Sequence, residues 1–170
     1  GLPGLPPPAI YLRETDLTEP DEAIRKYADD LKELDSLGAM HALMALIHDQ
    51  VEYLTGSTDT TTTAAAALAA GKGVCQDHAN LFVTIARCID VPARYVTGYL
   101  QLEEEQDGLL ETHAWAEAFI DGIGWIGFDP SCNLCPTDRY VRLCSGHDSA
   151  AAAPIRGNVL GETEESLEVS

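Results

Sequence analysis

The sequence predicts an α+β fold in which helices pack on an antiparallel sheet. Apolar residues recur at helical spacing through the first half of the chain, whereas residues 93–128 alternate with a period of two between turn signals. The chain has 170 residues and 45% apolar content, which is enough for one sizeable core. We therefore expect one compact domain over residues 21–157.

Two amphipathic helices are predicted before residue 55. The first follows the candidate caps Thr18 and Asp21, and its apolar residues are Ile24, Tyr27, Ala28, Leu31 and Leu34. The second runs from about Gly38 to Leu54 along one apolar stripe, which is typical of a helix that faces a core.

A short helix and then a buried helix are predicted in the middle of the chain. The alanine-rich stretch Ala64–Ala70 favours a helix, and Gly71 and Gly73 end it. Over Asp77–Asp90, apolar residues at positions i, i+3, i+4 and i+7 indicate a buried helix that starts immediately after Cys75. Cys75 is thus expected at a helix N-terminus.

Three strands follow, over Ala93–Leu102, His113–Ile120 and Trp125–Phe128. The second strand places His113, Trp115, Glu117 and Phe119 on one face, and Asp121-Gly122 with Gly124 supplies turn chemistry for a hairpin with the third. Beyond it the pattern is weak, with possible strands at residues 140–143 and 167–170.

Both ends of the chain differ from its centre. Residues 1–20 begin with a Pro-rich run that we interpret as a linker after a missing N-terminal region, since it lacks the features of a signal peptide. Residues 158–170 form an acidic C-terminal segment that could add an edge strand.

Net charge and cysteine content limit the partners. A formal charge of −18 repels phosphate backbones and anionic membranes, so we expect neither nucleic acid nor a membrane as a partner. The five cysteines cannot all pair within one chain, and without a secretion signal a reducing, cytoplasmic setting is the simplest interpretation. No cofactor is expected.

Cys75 has the surroundings of a nucleophile. A helix N-terminus offers partial positive charge and free N–H groups to a thiolate, and the glycines at 71 and 73 leave the sulfur unshielded. The best base is His113, with Asp129 at the end of the hairpin to orient it. A three-residue loop Ile120-Asp121-Gly122, with Gly122 left-handed, would set His113 directly opposite Asp129. A two-residue turn would put Asp129 on the wrong face.

Three segments of this sequence resemble the transglutaminase-like superfamily, and most closely its bacterial cysteine protease members. They are Gly71-Lys72-Gly73-Val74-Cys75-Gln76-Asp77-His78-Ala79, Thr112-His113-Ala114-Trp115-Ala116-Glu117 and Gly124-Trp125-Ile126-Gly127-Phe128-Asp129-Pro130. The strand Arg94–Leu100 also fits, and the resemblance extends over residues 38–130.

This resemblance implies a papain-like, transglutaminase-core fold with Cys75 as nucleophile, His113 as base and Asp129 as the residue that orients the base. The oxyanion would be held by the backbone N–H of Cys75 and a side-chain donor that is an upstream Trp in animal transglutaminases. No Trp precedes Cys75, so Tyr53 is the nearest aromatic donor on that side.

Other polar and aromatic residues near these motifs are expected to support the site. Gln76 and Asp77 would cap the helix, His78 would pack one turn after Cys75, and Trp115 is expected in the core. Cys132 and Cys135 form a CxxC, with Cys144 and His147 further on, which permits a zinc site. A reducible disulfide or two free thiols is the simpler account, and no metal is predicted.

The expected activity is acyl transfer on amide bonds of peptides or proteins through a Cys75 thioester. Hydrolysis by a protease or amidase is the first hypothesis, and transfer to an amine by a protein cross-linking transglutaminase is the alternative. The sequence does not separate water from an amine as acceptor. A hypothesis of another class is a non-catalytic peptide-binding module with the same fold, which would have no need to retain all of Cys75, His113 and Asp129.

Overall fold

A computed structural model describes residues 6–102 and 110–154, and it confirms the α+β architecture. Within these residues the helices are α1 Glu22–Leu31, α2 Ser36–Gln50, α3 Ala64–Ala70 and α4 Cys75–Cys88, preceded by a 3₁₀ helix over Pro8–Leu12. The strands are β1 Glu52–Tyr53, β2 Lys72–Gly73, β3 Ala93–Gln101, β4 Leu110–Ile120, β5 Gly124–Phe128 and β6 Tyr140–Gly146.

The two N-terminal helices start as expected but end earlier. Asp21 caps α1 by accepting the N–H of Ile24, so the alternative cap Thr18 was wrong; Thr18 is buried and bonded to Thr15 instead. Leu34 lies beyond the end of α1 and is half exposed.

The second predicted helix was too long by four residues. The backbone becomes extended at Val51, and β1 then pairs in parallel with β2, which withdraws Glu52 and Tyr53 from the helix. The apolar stripe continued to Leu54, but that side chain is half exposed. Pairing with a distant segment overrode a helical pattern here.

α4 is the central helix of the molecule. It begins at Cys75, two residues before the predicted start, and its residues 77–87 are buried. α1, α2 and α3 pack on it, and so do β3 and β4 of the sheet. Phe82 of α4 stacks on Phe128 of β5 with ring centroids 5.4 Å apart, which joins the helices to the sheet.

The four longer strands form an antiparallel sheet in the order β5-β4-β3-β6. The predicted C-terminal strand is therefore real and extends to Gly146, on the free side of β3. A second expected C-terminal strand, at 167–170, and the whole segment 158–170 lie outside the described residues.

The segment before α1 lies against the domain. Tyr11 is buried, and its carbonyl accepts a hydrogen bond from Arg87 at 2.8 Å. The Tyr11 ring meets Trp125 edge to face, at 5.3 Å between centroids. Part of the predicted linker thus contacts α4 and β5. No helix in the described part of the chain is long and apolar enough to cross a membrane.

Candidate active site

Cys75 is the first residue of α4 and is partly buried. It packs against a cluster of small and aromatic residues: Ala79, Tyr95, Ala114 and Ala152. Among the described residues the Cys75 N–H has no hydrogen-bond acceptor, as expected for the first turn of a helix. The thiol therefore sits beside the positive end of the helix dipole, next to a free donor.

The first turn of α4 is fixed by Asp77. Its Oδ2 accepts the Val74 N–H at 2.8 Å and the Thr58 hydroxyl at 2.5 Å. A Cβ at Gly73 would lie 2.7 Å from the Cβ of Asp77, so only glycine leaves room for this capping carboxylate. The capping role predicted for Asp77 is confirmed, whereas the Gln76 side chain donates at 3.4 Å to the Asp59 carbonyl, outside the helix.

His78 packs inside the protein and is committed to backbone partners. Its Nδ1 lies 2.8 Å from the Val74 carbonyl oxygen and its Nε2 lies 2.9 Å from that of Val51. The side chain is buried and joins the start of α4 to the end of α2. The structure confirms it as a packing residue, with neither ring nitrogen left for proton transfer.

His113 and Asp129 form a buried pair. His113 Nε2 lies 2.6 Å from Asp129 Oδ2, and the carboxylate is fully buried. The two side chains are thus within hydrogen-bond reach, as predicted. With Nε2 committed to Asp129, Nδ1 is the ring nitrogen left for the thiol.

The hairpin register that brings this pair together differs from the predicted one. The loop has three residues, as expected, and Gly122 is left-handed with φ +79°, but the ladder runs from Ile120↔Gly124 to Ala116↔Phe128 and is centred on Gly122. One further step brings Asp129 level with Trp115. The direct opposition of His113 and Asp129 was wrong; they meet diagonally on one face.

Asp129 is held by donors that the sequence did not reveal. Its Oδ1 accepts the Ser131 hydroxyl at 2.6 Å and the backbone N–H groups of Ser131 and Cys132 at 3.0 and 3.2 Å. Its Oδ2 accepts the Tyr140 hydroxyl at 2.7 Å besides His113. Ser131 follows a recognised motif and could have been found as a turn residue, but Tyr140 is remote in sequence and gave no signal.

His113 and Asp129 shift each other's pKa in opposite directions. Burial lowers the pKa of His113, but the hydrogen bond to Asp129 and the nearby Cys132 and Cys75 thiols raise it, and the net direction is upward. Burial raises the pKa of Asp129, yet the hydrogen bond and charge of His113 outweigh it and lower the carboxyl pKa. The favoured state is an imidazolium beside a carboxylate, and it places a positive charge near Cys75.

Aromatic rings enclose the imidazole. Trp115 is buried and its ring stacks at 6.4 Å from that of His113, while Tyr140 meets both rings edge to face at 5.7 and 5.3 Å. The core position predicted for Trp115 is confirmed. These rings exclude water from one side of His113 and fix its plane.

Tyr53 lies close to the thiol. Burial raises the pKa of its phenol, and the nearby Cys75 thiol raises it further. The ring rests on His78 at 6.0 Å, and the backbone is tied to β2 by the bond from the Leu54 N–H to the Gly73 carbonyl, 2.9 Å long. This side chain is in place to serve as a donor beside Cys75.

The other cysteines are free thiols in different surroundings. Cys132 is exposed, and its Sγ lies within 4.8 Å of the His113 and Asp129 ligand atoms. Cys135 instead packs against the core, as Cys88 does. The expected core position of Cys88 agrees with this, whereas the proximity of Cys132 to His113 was not predicted.

Comparison with known proteins identifies the family. Residues 25–130 match the description "Transglutaminase-like superfamily". An uncharacterized protein of Mycobacterium tuberculosis (strain H37Rv) is 31% identical over 98% of this chain and 56% of its own length. A Mycobacterium leprae protein is 31% identical over 71% of this chain and 44% of its own. The chain thus spans about half the length of these relatives.

Solved structures agree with the sequence match. A structure described as a putative cysteine protease from Cytophaga hutchinsonii has a TM-score of 0.73 and 30% identity over 85% of this chain and 48% of that one. The periplasmic domain of TgpA from Pseudomonas aeruginosa shares the fold, with a TM-score of 0.58 and 22% identity over 72% of this chain and 46% of that one. With the match over residues 25–130, these similarities show that the chain belongs to the transglutaminase-like superfamily.

Proposed function

We propose that this chain is a papain-like cysteine hydrolase that cleaves amide bonds of peptides or proteins through a thioester on Cys75. The observation that carries the proposal is the combination of three groups: a thiol at the start of α4, the His113 imidazole whose pKa that thiol helps to raise, and Asp129 bonded to the imidazole at 2.6 Å. The similarity to the Cytophaga hutchinsonii structure described as a putative cysteine protease supports the same reaction class.

In the first half-reaction the Cys75 thiolate attacks the substrate carbonyl carbon, and a C–S bond forms. The carbonyl oxygen becomes an oxyanion that the Cys75 N–H and the Tyr53 hydroxyl are placed to bind. His113 then gives its proton to the amide nitrogen, the C–N bond breaks, and the amine leaves. The acyl group remains on sulfur as a thioester.

In the second half-reaction His113, now neutral, takes a proton from water, and the resulting hydroxide attacks the thioester carbon. The C–S bond breaks, and the thiolate–imidazolium pair is restored. Asp129 keeps the ring oriented through both steps and stabilises the imidazolium. If an amine replaces water, the product is a new amide, which is the cross-linking activity. Neither route uses a cofactor.

Thiol reactivity provides the first test. Iodoacetamide at neutral pH should modify Cys75 well before Cys88, because Cys75 lies at a helix N-terminus, whereas burial raises the pKa of Cys88. Peptide mass spectrometry gives both rates in one sample, with Cys88 as the internal control. Equal or reversed rates would count against Cys75 as the nucleophile.

Substrate screening separates the alternatives. A peptide library incubated with and without an added primary amine should yield cleaved peptides in both cases for a hydrolase, and amine adducts for a cross-linking enzyme. Capture of an acyl–Cys75 adduct by intact mass would show the thioester itself. Peptides that bind without cleavage or adduct would favour a binding module instead.

A further inference from the structure

Two donors share one oxygen of Asp129. His113 Nε2 lies 2.6 Å from Oδ2, and the Tyr140 hydroxyl lies 2.7 Å from the same atom. The other oxygen is occupied by Ser131 and the Cys132 N–H. Since Tyr140 is a neutral donor, its bond to the carboxylate is charge-assisted and draws electron density away from the oxygen that faces His113.

The position of Tyr140 is built into the sheet. It is the first residue of β6, which pairs with β3 through a register shift at Gly98. A Cβ at Gly98 would lie 2.0 Å from the Val141 carbonyl oxygen and 2.8 Å from the Trp115 ring. Because Gly98 has no side chain, β6 and Trp115 can pack closely against β3, where Gly98 pairs with His113. This close packing brings Tyr140 to Asp129.

We propose that Tyr140 is a positioning residue that restrains the Asp129 carboxylate and weakens its hold on the proton of His113. The inference about proton release rests on the proposed function, because His113 must hand this proton to the leaving amine. An unshared Asp129 would retain it more strongly and make the imidazolium a poorer acid. Tyr140 thus acts through Asp129 and does not itself contact the substrate.

Several titratable groups surround His113, and only Tyr140 differs between the two proteins that each test compares. Cys75 approaches from α4, Tyr53 from β1, Asp129 and Cys132 from the segment after β5, and Tyr140 from β6. Tyr140→Phe removes one hydroxyl and keeps the ring against His113 and Trp115. The matched control is Tyr27→Phe, which removes a partly exposed hydroxyl that is bonded to Gln50 on α2.

The first experiment needs no substrate. His113 is titrated by NMR of its imidazole nitrogens in a Cys75→Ala background, which removes the neighbouring thiol. Tyr140→Phe should raise the His113 pKa by about half a unit or more, because the carboxylate loses a competing donor, whereas Tyr27→Phe should leave it unchanged. An unchanged or lowered His113 pKa in Tyr140→Phe overturns the proposal.

The second experiment tests proton release with two substrates. Tyr140→Phe should lower kcat about 3- to 10-fold on an amide with KM unchanged, but less than about 2-fold on a p-nitrophenyl ester, whose leaving group departs without a proton. Tyr140→Leu should slow both, since the ring that packs on His113 is also lost. Equal slowing of amide and ester by Tyr140→Phe, with an unchanged melting temperature, overturns the role in proton release.

The two experiments fail independently. If the wild-type chain turns over neither substrate but the His113 pKa still rises in Tyr140→Phe, the restraint on Asp129 stands and the proposed hydrolase does not. If the chain is active and the pKa does not move, the hydrolase stands and the restraint is wrong.

Discussion

Arg87 in α4 and Asp129 after β5 are both buried charges with several hydrogen bonds, yet their partners differ in kind. The guanidinium of Arg87 binds the backbone carbonyls of Tyr11, Ala93 and His147 and the hydroxyl of Thr18. The Asp129 carboxylate binds side chains that rotate or titrate, with His113 and Tyr140 on one oxygen and Ser131 on the other.

The partners decide what a buried charge can do. Backbone carbonyls cannot take up or release protons, so Arg87 links the segment before α1, β3 and the end of β6 and performs no chemistry. Burial lowers its pKa to about 10, partly offset by the charges of Asp148 and Glu14, so it stays protonated near neutral pH. Asp129 instead binds the titratable His113 ring, so its charge affects how tightly that ring holds its proton.

The largest effect is expected for variants of Asp129 and of the two residues that act with it, Cys75 and His113. These variants should lower kcat while the chain stays folded. Cys75→Ala and His113→Ala should lose nearly all kcat, because one forms the covalent bond and the other moves protons in both half-reactions, while Asp129→Asn loses less. A general base is worth about 10² to 10⁴ in rate.

These variants should remain folded by circular dichroism, and Cys144→Ala is the control thiol that should keep full activity. If Cys75→Ala keeps more than roughly a tenth of wild-type turnover, thioester catalysis is wrong for this chain.

Arg87 should show the opposite behaviour, with a large loss of stability. Arg87→Met leaves buried carbonyls without donors, which we expect to lower the free energy of unfolding by about 3–5 kcal/mol in urea denaturation. The control is Arg25→Met on the exposed face of α1, expected within about 0.5 kcal/mol of wild type. A loss below about 1 kcal/mol would mean that water replaces the guanidinium, and the contrast with Asp129 would fail.

The Asp129–His113 pair should also make the free energy of unfolding depend on pH. Its contribution should be lost both at low pH and at high pH. The lowered Asp129 pKa contributes stability that is present above its unfolded value and is lost as the pH falls below about 4. The raised His113 pKa contributes stability that is complete below about pH 6.5 and is lost as the pH rises toward the folded value.

The difference in unfolding free energy between wild type and Asp129→Asn should therefore be greatest between about pH 4 and pH 6.5 and shrink on both sides. Urea denaturation at several pH values measures it. A difference that is constant with pH would show that the pair is not an ion pair in the folded chain.

The smallest expected effect concerns Tyr53. Tyr53→Phe should lower kcat about 10-fold with little change in KM, since the hydroxyl would bind the oxyanion only as it forms. The partial exposure of Tyr53 keeps the expected loss below that of an enclosed donor. Tyr99→Phe on β3 serves as the control, and equal rates for Tyr53→Phe and wild type would leave the Cys75 N–H as the main donor.

Much of the fold follows from local patterns in the sequence. Ala64–Ala70 and the start of α4 beside Cys75 were predicted closely, because composition, glycine stops and apolar spacing agree there. The end of α2 was not, since the pairing of β1 with β2 joins residues about 20 positions apart and leaves no local trace.

The candidate site was predictable as far as its motifs extend. Cys75, His113 and Asp129 lie in recognisable segments, and the loop length gave the correct face. The exact register could not be read, because a three-residue loop can be centred on Asp121 or on Gly122 with similar turn chemistry. Tyr140 was missed because its role depends on how β6 pairs with β3 at Gly98, a contact between distant segments.

The short parallel pair of β1 and β2 has a consequence for loop evolution. The bonds from the Glu52 N–H to the Gly71 carbonyl and from the Leu54 N–H to the Gly73 carbonyl, each 2.9 Å, fasten Tyr53 to the backbone that leads into Cys75. The segment between these two strands includes α3, and a Cβ at Gly56, close after β1, would meet nothing within 4 Å. Extra residues inserted at Gly56 should therefore leave the spacing of Tyr53 and Cys75 unchanged, because the two strand bonds hold both segments together on either side of the insertion.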